Sequence, residues 1–126
     1  MFDLIVRGDQ VVTPQGTGAW DICIAGETIA AMAAPGTFDD SQAGKVIDAT
    51  GKIVVPGGID PHIHSLWHIP ALEEGGEVTW TDGPDVVSRA AIHGGTTTLL
   101  DFANWLPDAS IEEAINIRKQ DWTGKC

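Results

Sequence analysis

The chain has 126 residues, seven basic and eighteen acidic, for a formal net charge of −11, with 43% apolar residues and 15 glycines. That length suits one domain, the apolar content excludes a disordered acidic tail, and the negative charge argues against nucleic acid and anionic membrane as partners, because both recruit basic surfaces. No apolar run approaches the roughly 18 residues of a membrane span. The start, Met1-Phe2-Asp3-Leu4, lacks the basic and apolar regions of a secretory signal. Cys23 and Cys126 are too few and too far apart for a disulfide framework, so the expected setting is a reducing cytoplasm.

Residues 1–55 read as short strands and tight turns. Phe2, Leu4 and Val6 alternate with Asp3, Ile5 and Arg7 in the period-2 pattern of a half-buried strand, and Thr13-Pro14-Gln15-Gly16 is a turn. Trp20, Ile22 and Ile24 share a parity, and Gly26-Glu27 turns the chain into Thr28-Ile29-Ala30 as a hairpin. Ala30–Ala34 has the composition of a helix fragment, which Pro35-Gly36 stops at once. A polar loop over 39–44 leads to two more strands, Lys45-Val46-Ile47 and Lys52-Ile53-Val54-Val55, around Gly51. The expected architecture is part of a small antiparallel β-sandwich domain.

From residue 56 to 126 the pattern becomes strand, long loop, helix, strand, loop, helix. Gly58–His62 is expected as a buried strand. Asp82 or Gly83 caps a helix with Pro84 in its first turn, Val86, Val87, Ala90 and Ala91 as its apolar stripe, and Gly94-Gly95 as its end. Thr96–Asp101 is a second strand. Ser110 and Glu113 form the capping box of a second helix, with Ile111, Ala114, Ile115 and Arg118 along one face and Gly124 as the stop. This βαβα order predicts parallel strands, an α/β arrangement. Two parallel strands leave two open edges, and a closed (β/α)8 barrel takes about 250 residues where about 70 are available. The expectation is therefore a fragment, a split-gene product or one partner of a larger assembly.

The stretch that carries chemistry is Val54-Val55-Pro56-Gly57-Gly58-Ile59-Asp60-Pro61-His62-Ile63-His64. Residues two apart on a strand share a face, so His62 and His64 can converge on one ion, and neutral imidazole suits zinc and related divalent metals. Pro61 cannot donate to a ladder, so pairing should end there, which puts the histidines at the carboxyl end of the strand, where α/β barrels keep their active sites. Asp60 has the parity to orient an imidazole by accepting its free N–H.

Val55–His64 resembles the metal-binding segment of the amidohydrolase superfamily, within its dihydropyrimidinase/hydantoinase branch of cyclic amidases. Ala90–Phe102 is similar to that branch's second-strand segment, and Asp21–Ile29 to its amino-terminal sandwich. The resemblance implies a (β/α)8 barrel with two zinc ions at its mouth, the first ion held by His62 and His64; this chain is then its first two βα units, an incomplete barrel with the missing remainder as a partner. It implies further ligands on later strands: a bridging carboxylated lysine, two histidines, and an aspartate that is ligand and proton shuttle. The substrate is then a small cyclic amide of the dihydropyrimidine or hydantoin type, opened by metal-activated hydroxide, and the complete protein a homo-oligomer, a tetramer. No catalytic residue is assigned within the chain, since neither Lys119 nor Lys125 matches the bridging lysine, and the chain alone should be inactive.

Leu66 and Trp67, which follow the histidines, match a loop that in hydantoinase-like enzymes shapes the substrate pocket. The loop continuing to Trp80 is longer than the branch leads one to expect. Asp101, at the end of its strand, is a second candidate to support the metal from behind. His68 is read as a solvated loop residue rather than a third ligand, His93 as a cation at a helix carboxyl end, Trp105 as a weak candidate for the mouth, and Glu73, Glu74 and Glu77 as a solvated face. Two alternatives remain. One is an amidohydrolase acting on another ring, allantoin or dihydroorotate. The other is a non-catalytic scaffold related to dihydropyrimidinase, for which retention of both histidines has no physical purpose.

Overall fold

A computed structural model describes residues 1–71, 73–104 and 107–125. The chain divides into two compact units, Met1–Pro56 and Gly57–Cys126. No helix among the described residues is long and apolar enough to cross a membrane.

The first unit is one mixed sheet. Strands β1 (Phe2–Thr13), β2 (Gly16–Ala25), β3 (Thr28–Ala33) and β4 (Ala43–Asp48) lie in the order β3-β2-β1-β4, and the short β5 (Ile53–Val54) also pairs with β1. Tight turns make β1, β2 and β3 an antiparallel meander. The chain then crosses to the far edge of β1, so β4 and β5 run parallel to it. The antiparallel sandwich read from strand spacing is corrected here: the pattern marks strands and turns but says nothing of which edge a returning strand takes. A bulge between Gly8 and Val11 divides β1, whose Phe2–Arg7 segment meets β4 while Gln10 and Val11 meet β5. The Ala30–Ala34 stretch is largely strand, because five residues before a proline cannot repay helix nucleation whereas pairing with β2 satisfies the backbone.

Ile5, Val11, Cys23 and Ala49 form the apolar core of this unit. Beside them Asp21 is buried. Its carboxylate accepts from the Gly36 N–H at 3.0 Å and lies 3.9 Å from the Arg7 guanidinium, which reaches on to Asp40 at 2.6 Å. Burial, and then the Asp21 charge, push the Cys23 thiol up from its ordinary value, and the residue packs as a small member of the core.

The second unit contains β6 (Gly58–Ile63), a short antiparallel hairpin of β7 (His68–Ile69) and β8 (Thr79–Trp80), helix α1 (Pro84–His93), β9 (Thr96–Asp101) and helix α2 (Ile111–Trp122). Strands β6 and β9 pair in parallel. They approach closely because Gly57 has no side chain: a Cβ there would overlap the Thr97 side chain. The Gly58 N–H donates to the Gly95 carbonyl at 2.8 Å, and Gly95 takes the left-handed φ of 84° that ends α1.

Three details differ from the sequence pattern. The residues of β6 up to His62 are exposed, not buried, since β9 is its sole paired neighbour among the described residues. Its ladder skips Pro61 and His62 but resumes where Ile63 faces Asp101, with the Phe102 N–H donating to the Ile63 carbonyl at 3.3 Å. Each helix also buries only part of its expected stripe. Val86 and Ala90 of α1 are exposed while Val87 and Ala91 are half-buried, and α2 buries Ala114 and Arg118 while Ile111 and Ile115 stay exposed.

Candidate metal centre

His62 lies in the last turn of pleat of β6 and His64 just beyond it, with side chains on the same face. Their Nε2 atoms are 3.0 Å apart, His62 exposed and His64 half-buried. At this distance the contact is a hydrogen bond when one Nε2 carries a proton, and two acceptor nitrogens set close together when neither does. Two nitrogens this far apart, each bonded to zinc at about 2.0–2.1 Å, would subtend an angle of about 91–97° at the metal. The pair therefore fits two positions of a divalent cation. It does not complete a site: among the described residues no group of three or more His, Cys, Asp or Glu side chains converges.

The rings sit in an aromatic cluster. The His64 and Trp67 centroids are 4.1 Å apart, and Phe102 lies 4.5 Å from His62 and 5.1 Å from His64. Phe102 was not among the residues that sequence reasoning singled out. Its signal was available, since it immediately follows the strand that neighbours β6 in parallel, at the same end of the sheet.

Asp60 makes no hydrogen bond to either imidazole among the described residues. Its carboxylate accepts from the His62 backbone N–H at 3.1 Å, because a short side chain two residues upstream reaches the main chain more readily than a ring. The Nδ1 of His64 is buried and has no hydrogen-bond partner among the described residues.

Asp101 contacts neither ring. It accepts from the Ser65 N–H at 3.2 Å, from the Ser65 hydroxyl, and from the Trp122 indole N–H at 2.8 Å. Arg118 donates to the Ser65 carbonyl at 2.7 Å and lies 3.5 Å from both Asp101 and Asp121. Thr81 adds a further tie, its hydroxyl donating to the His64 carbonyl and accepting from the Trp67 N–H, both at 2.7 Å. Sequence reasoning missed Ser65, Arg118 and Thr81 in this role. An arginine on the apolar stripe of α2 was the available signal, because such a residue is buried only with partners.

Leu66 and Trp67 part company. Trp67 packs on His64, whereas Leu66, held at a left-handed φ of 46°, lines a cleft of about 310 Å³ with Trp80, Asn104 and residues of α2. His68 is exposed and packs its ring on Trp80, with centroids 5.4 Å apart. His93 is exposed in the last turn of α1. Trp105 lies outside the described residues.

Residues 45–122 match the model of the family described as the Amidohydrolase family. The chain is 36% identical over 124 residues to a D-hydantoinase of Streptomyces coelicolor, covering 97% of this chain and 25% of that protein. It is 34% identical over 125 residues to an allantoinase of Salmonella newport, covering 98% and 25%. Among solved structures, a D-hydantoinase superposes with a TM-score of 0.81 at 32% identity over 100% of this chain and 25% of that one. A dihydropyrimidinase from Brevibacillus agri gives 0.75 at 35% over 96% and 24%. The chain thus spans about a quarter of the length of these relatives.

Proposed function

The chain belongs to the amidohydrolase family, and from that premise we propose that it supplies the first two metal ligands, His62 and His64, of a zinc-dependent hydrolase that opens a cyclic amide ring. The observation that carries this reading is the convergence of the two Nε2 atoms, 3.0 Å apart, at the carboxyl end of β6. Residues 1–55 then belong to an accessory β domain and residues 56–126 open a barrel. The ligands beyond this pair come from outside the 126 residues, and the chain by itself does not turn over substrate. When bound, the metal supplies Lewis acidity, which acidifies a water and polarises the ring carbonyl. The chain's own residues hold and shield. His62 and His64 would hold the ion through their Nε2 atoms, and Trp67 and Phe102 flank the imidazoles with apolar surface that limits access of water to a ring docked beside them.

The relatives carry the names of a hydantoinase, a dihydropyrimidinase and an allantoinase, so the substrate is sought among hydantoin, dihydrouracil, allantoin and dihydroorotate. A non-catalytic scaffold is the weaker reading, since it has no use for the paired imidazoles. A cytoplasmic homotetramer accompanies the enzymatic one. The test is ring opening by the chain completed with the coding sequence that follows it, stripped of metal and reloaded with Zn²⁺. One member of the panel should open. The H62A/H64A double variant should lose more than the about 10–100-fold typical of changes behind a ligand, with loss of bound metal measured alongside. Full metal occupancy in the double variant, or no turnover of any ring by the loaded protein, would sink the proposal.

A further inference from the structure

We infer that Ser65, Asp101 and Arg118 are positioning residues that aim the His64 imidazole through the main chain. A histidine that ligates a metal ordinarily has its second ring nitrogen tied to a carboxylate or carbonyl, which fixes tautomer and ring plane. His64 has no such tie: its Nδ1 is buried without a partner among the described residues, and Asp60, the nearest carboxylate in sequence on the same face, is engaged with the backbone of His62. The ring must be held from elsewhere.

The residue after it is held unusually firmly. Ser65 is fully buried, and every polar atom it owns is bonded. Its N–H and hydroxyl both donate to Asp101, and its carbonyl and hydroxyl oxygens accept from Arg118 at 2.7 and 3.2 Å. Arg118 is 8% exposed and is balanced between Asp101 and Asp121, at 3.5 Å from each. Trp122 donates to Asp101 from the same helix. One buried cluster thereby joins the ends of β6 and β9 to α2. Together with Thr81 on the His64 carbonyl, it leaves the His64 backbone little freedom, and Trp67 and Phe102 restrict the ring that remains. The cluster replaces a hydrogen bond to the ring by control of the Cα from which the ring projects.

The consequence for metal affinity rests on the reading of His62 and His64 as ligands; the consequence for the ring does not. The test uses the full 126-residue chain with S65A and D101N, both close to the original shape, and S110A as a control that weakens α2 away from the cluster. Nuclear Overhauser contacts between the His64 and Phe102 rings are measured without metal, and Co²⁺ affinity by titration of its visible spectrum. S65A and D101N should weaken the ring contacts and lower Co²⁺ affinity by about 10–100-fold, the range found for partners behind a ligand, while S110A lowers the melting temperature and changes neither. Ring contacts that persist in folded S65A and D101N overturn the inference whatever the metal does. Weakened ring contacts in a chain whose Co²⁺ binding ignores H62A/H64A support the positioning role and remove the metal reading instead.

Discussion

Gly57 has no room for a side chain, and that sets how closely β6 approaches β9. A Cβ at Gly57 would overlap Thr97, whereas one at Gly58 would meet Thr96 Oγ1 at 3.3 Å and require a shift of only tenths of an ångström. Gly57→Ala should therefore destabilise the second unit by about 1–3 kcal/mol, the usual cost of overpacking, and Gly58→Ala by clearly less. Denaturant unfolding followed by tryptophan fluorescence checks this, and equal losses at the two positions would refute the close-approach argument. Much at this scale was legible in the sequence, because a glycine pair and two histidines in alternate positions carry their geometry in their spacing. Asp60 was not, since parity places a side chain on a face without saying which of two donors within reach it will choose. Nor was the unpartnered Nδ1 of His64, which depends on what every neighbouring segment fails to offer.

Helix α2 separates what is local from what is not. Its start is readable from four residues: the Ser110 hydroxyl accepts from the Glu113 N–H at 3.2 Å, and the Glu113 carboxylate accepts from the Ser110 N–H at 2.7 Å. Its buried face is readable only in part: Ala114 and Arg118 lie on the expected stripe, but Ile111 and Ile115 of that stripe stay exposed, and the burial of Arg118 depends on its bond to Ser65, which apolar periodicity does not show. The same division explains why strands and turns of the first unit were found while the parallel placement of β4 against β1 was not. The cap also sets a pH dependence. The Ser110 backbone N–H, and then its hydroxyl, hold the Glu113 carboxyl below its ordinary value. A carboxyl with a lowered folded-state value stabilises fully above the unfolded value, about 4.3, and loses that contribution as pH falls through the folded value. Glu113→Gln should accordingly melt earlier than the parent at pH 6–7, with the gap closing on acidification. Ser110→Ala should cost about 1 kcal/mol at neutral pH. Circular dichroism melts at several pH values read both, and a gap that widens toward acid would contradict the assigned sign.

At the scale of the whole chain, charge and apolar exposure pull in opposite directions. Among the described residues buried apolar side chains are few, and large ones stand open to solvent in the second unit, Ile59 at 67% and Ile111 at 73%, with Ile92, Leu100 and Phe102 also exposed. A two-stranded parallel sheet leaves both edges unpaired among the described residues, which is a surface that natural proteins usually cover. Against association stands the net charge of −11, whose mutual repulsion acts over about 10 Å at 0.1 M salt and about 3 Å at 1 M. Raising salt removes the repulsion without weakening apolar attraction, so the 126-residue chain should self-associate more as salt rises and should bind a hydrophobic dye such as ANS while folded. Sedimentation velocity at about 0.01 and 1 M NaCl distinguishes the terms by their Debye lengths. Association that falls with salt would mean that ionic contacts, not the open apolar faces, drive it. A monomer at both concentrations with no dye bound would mean that these faces are covered within the chain itself.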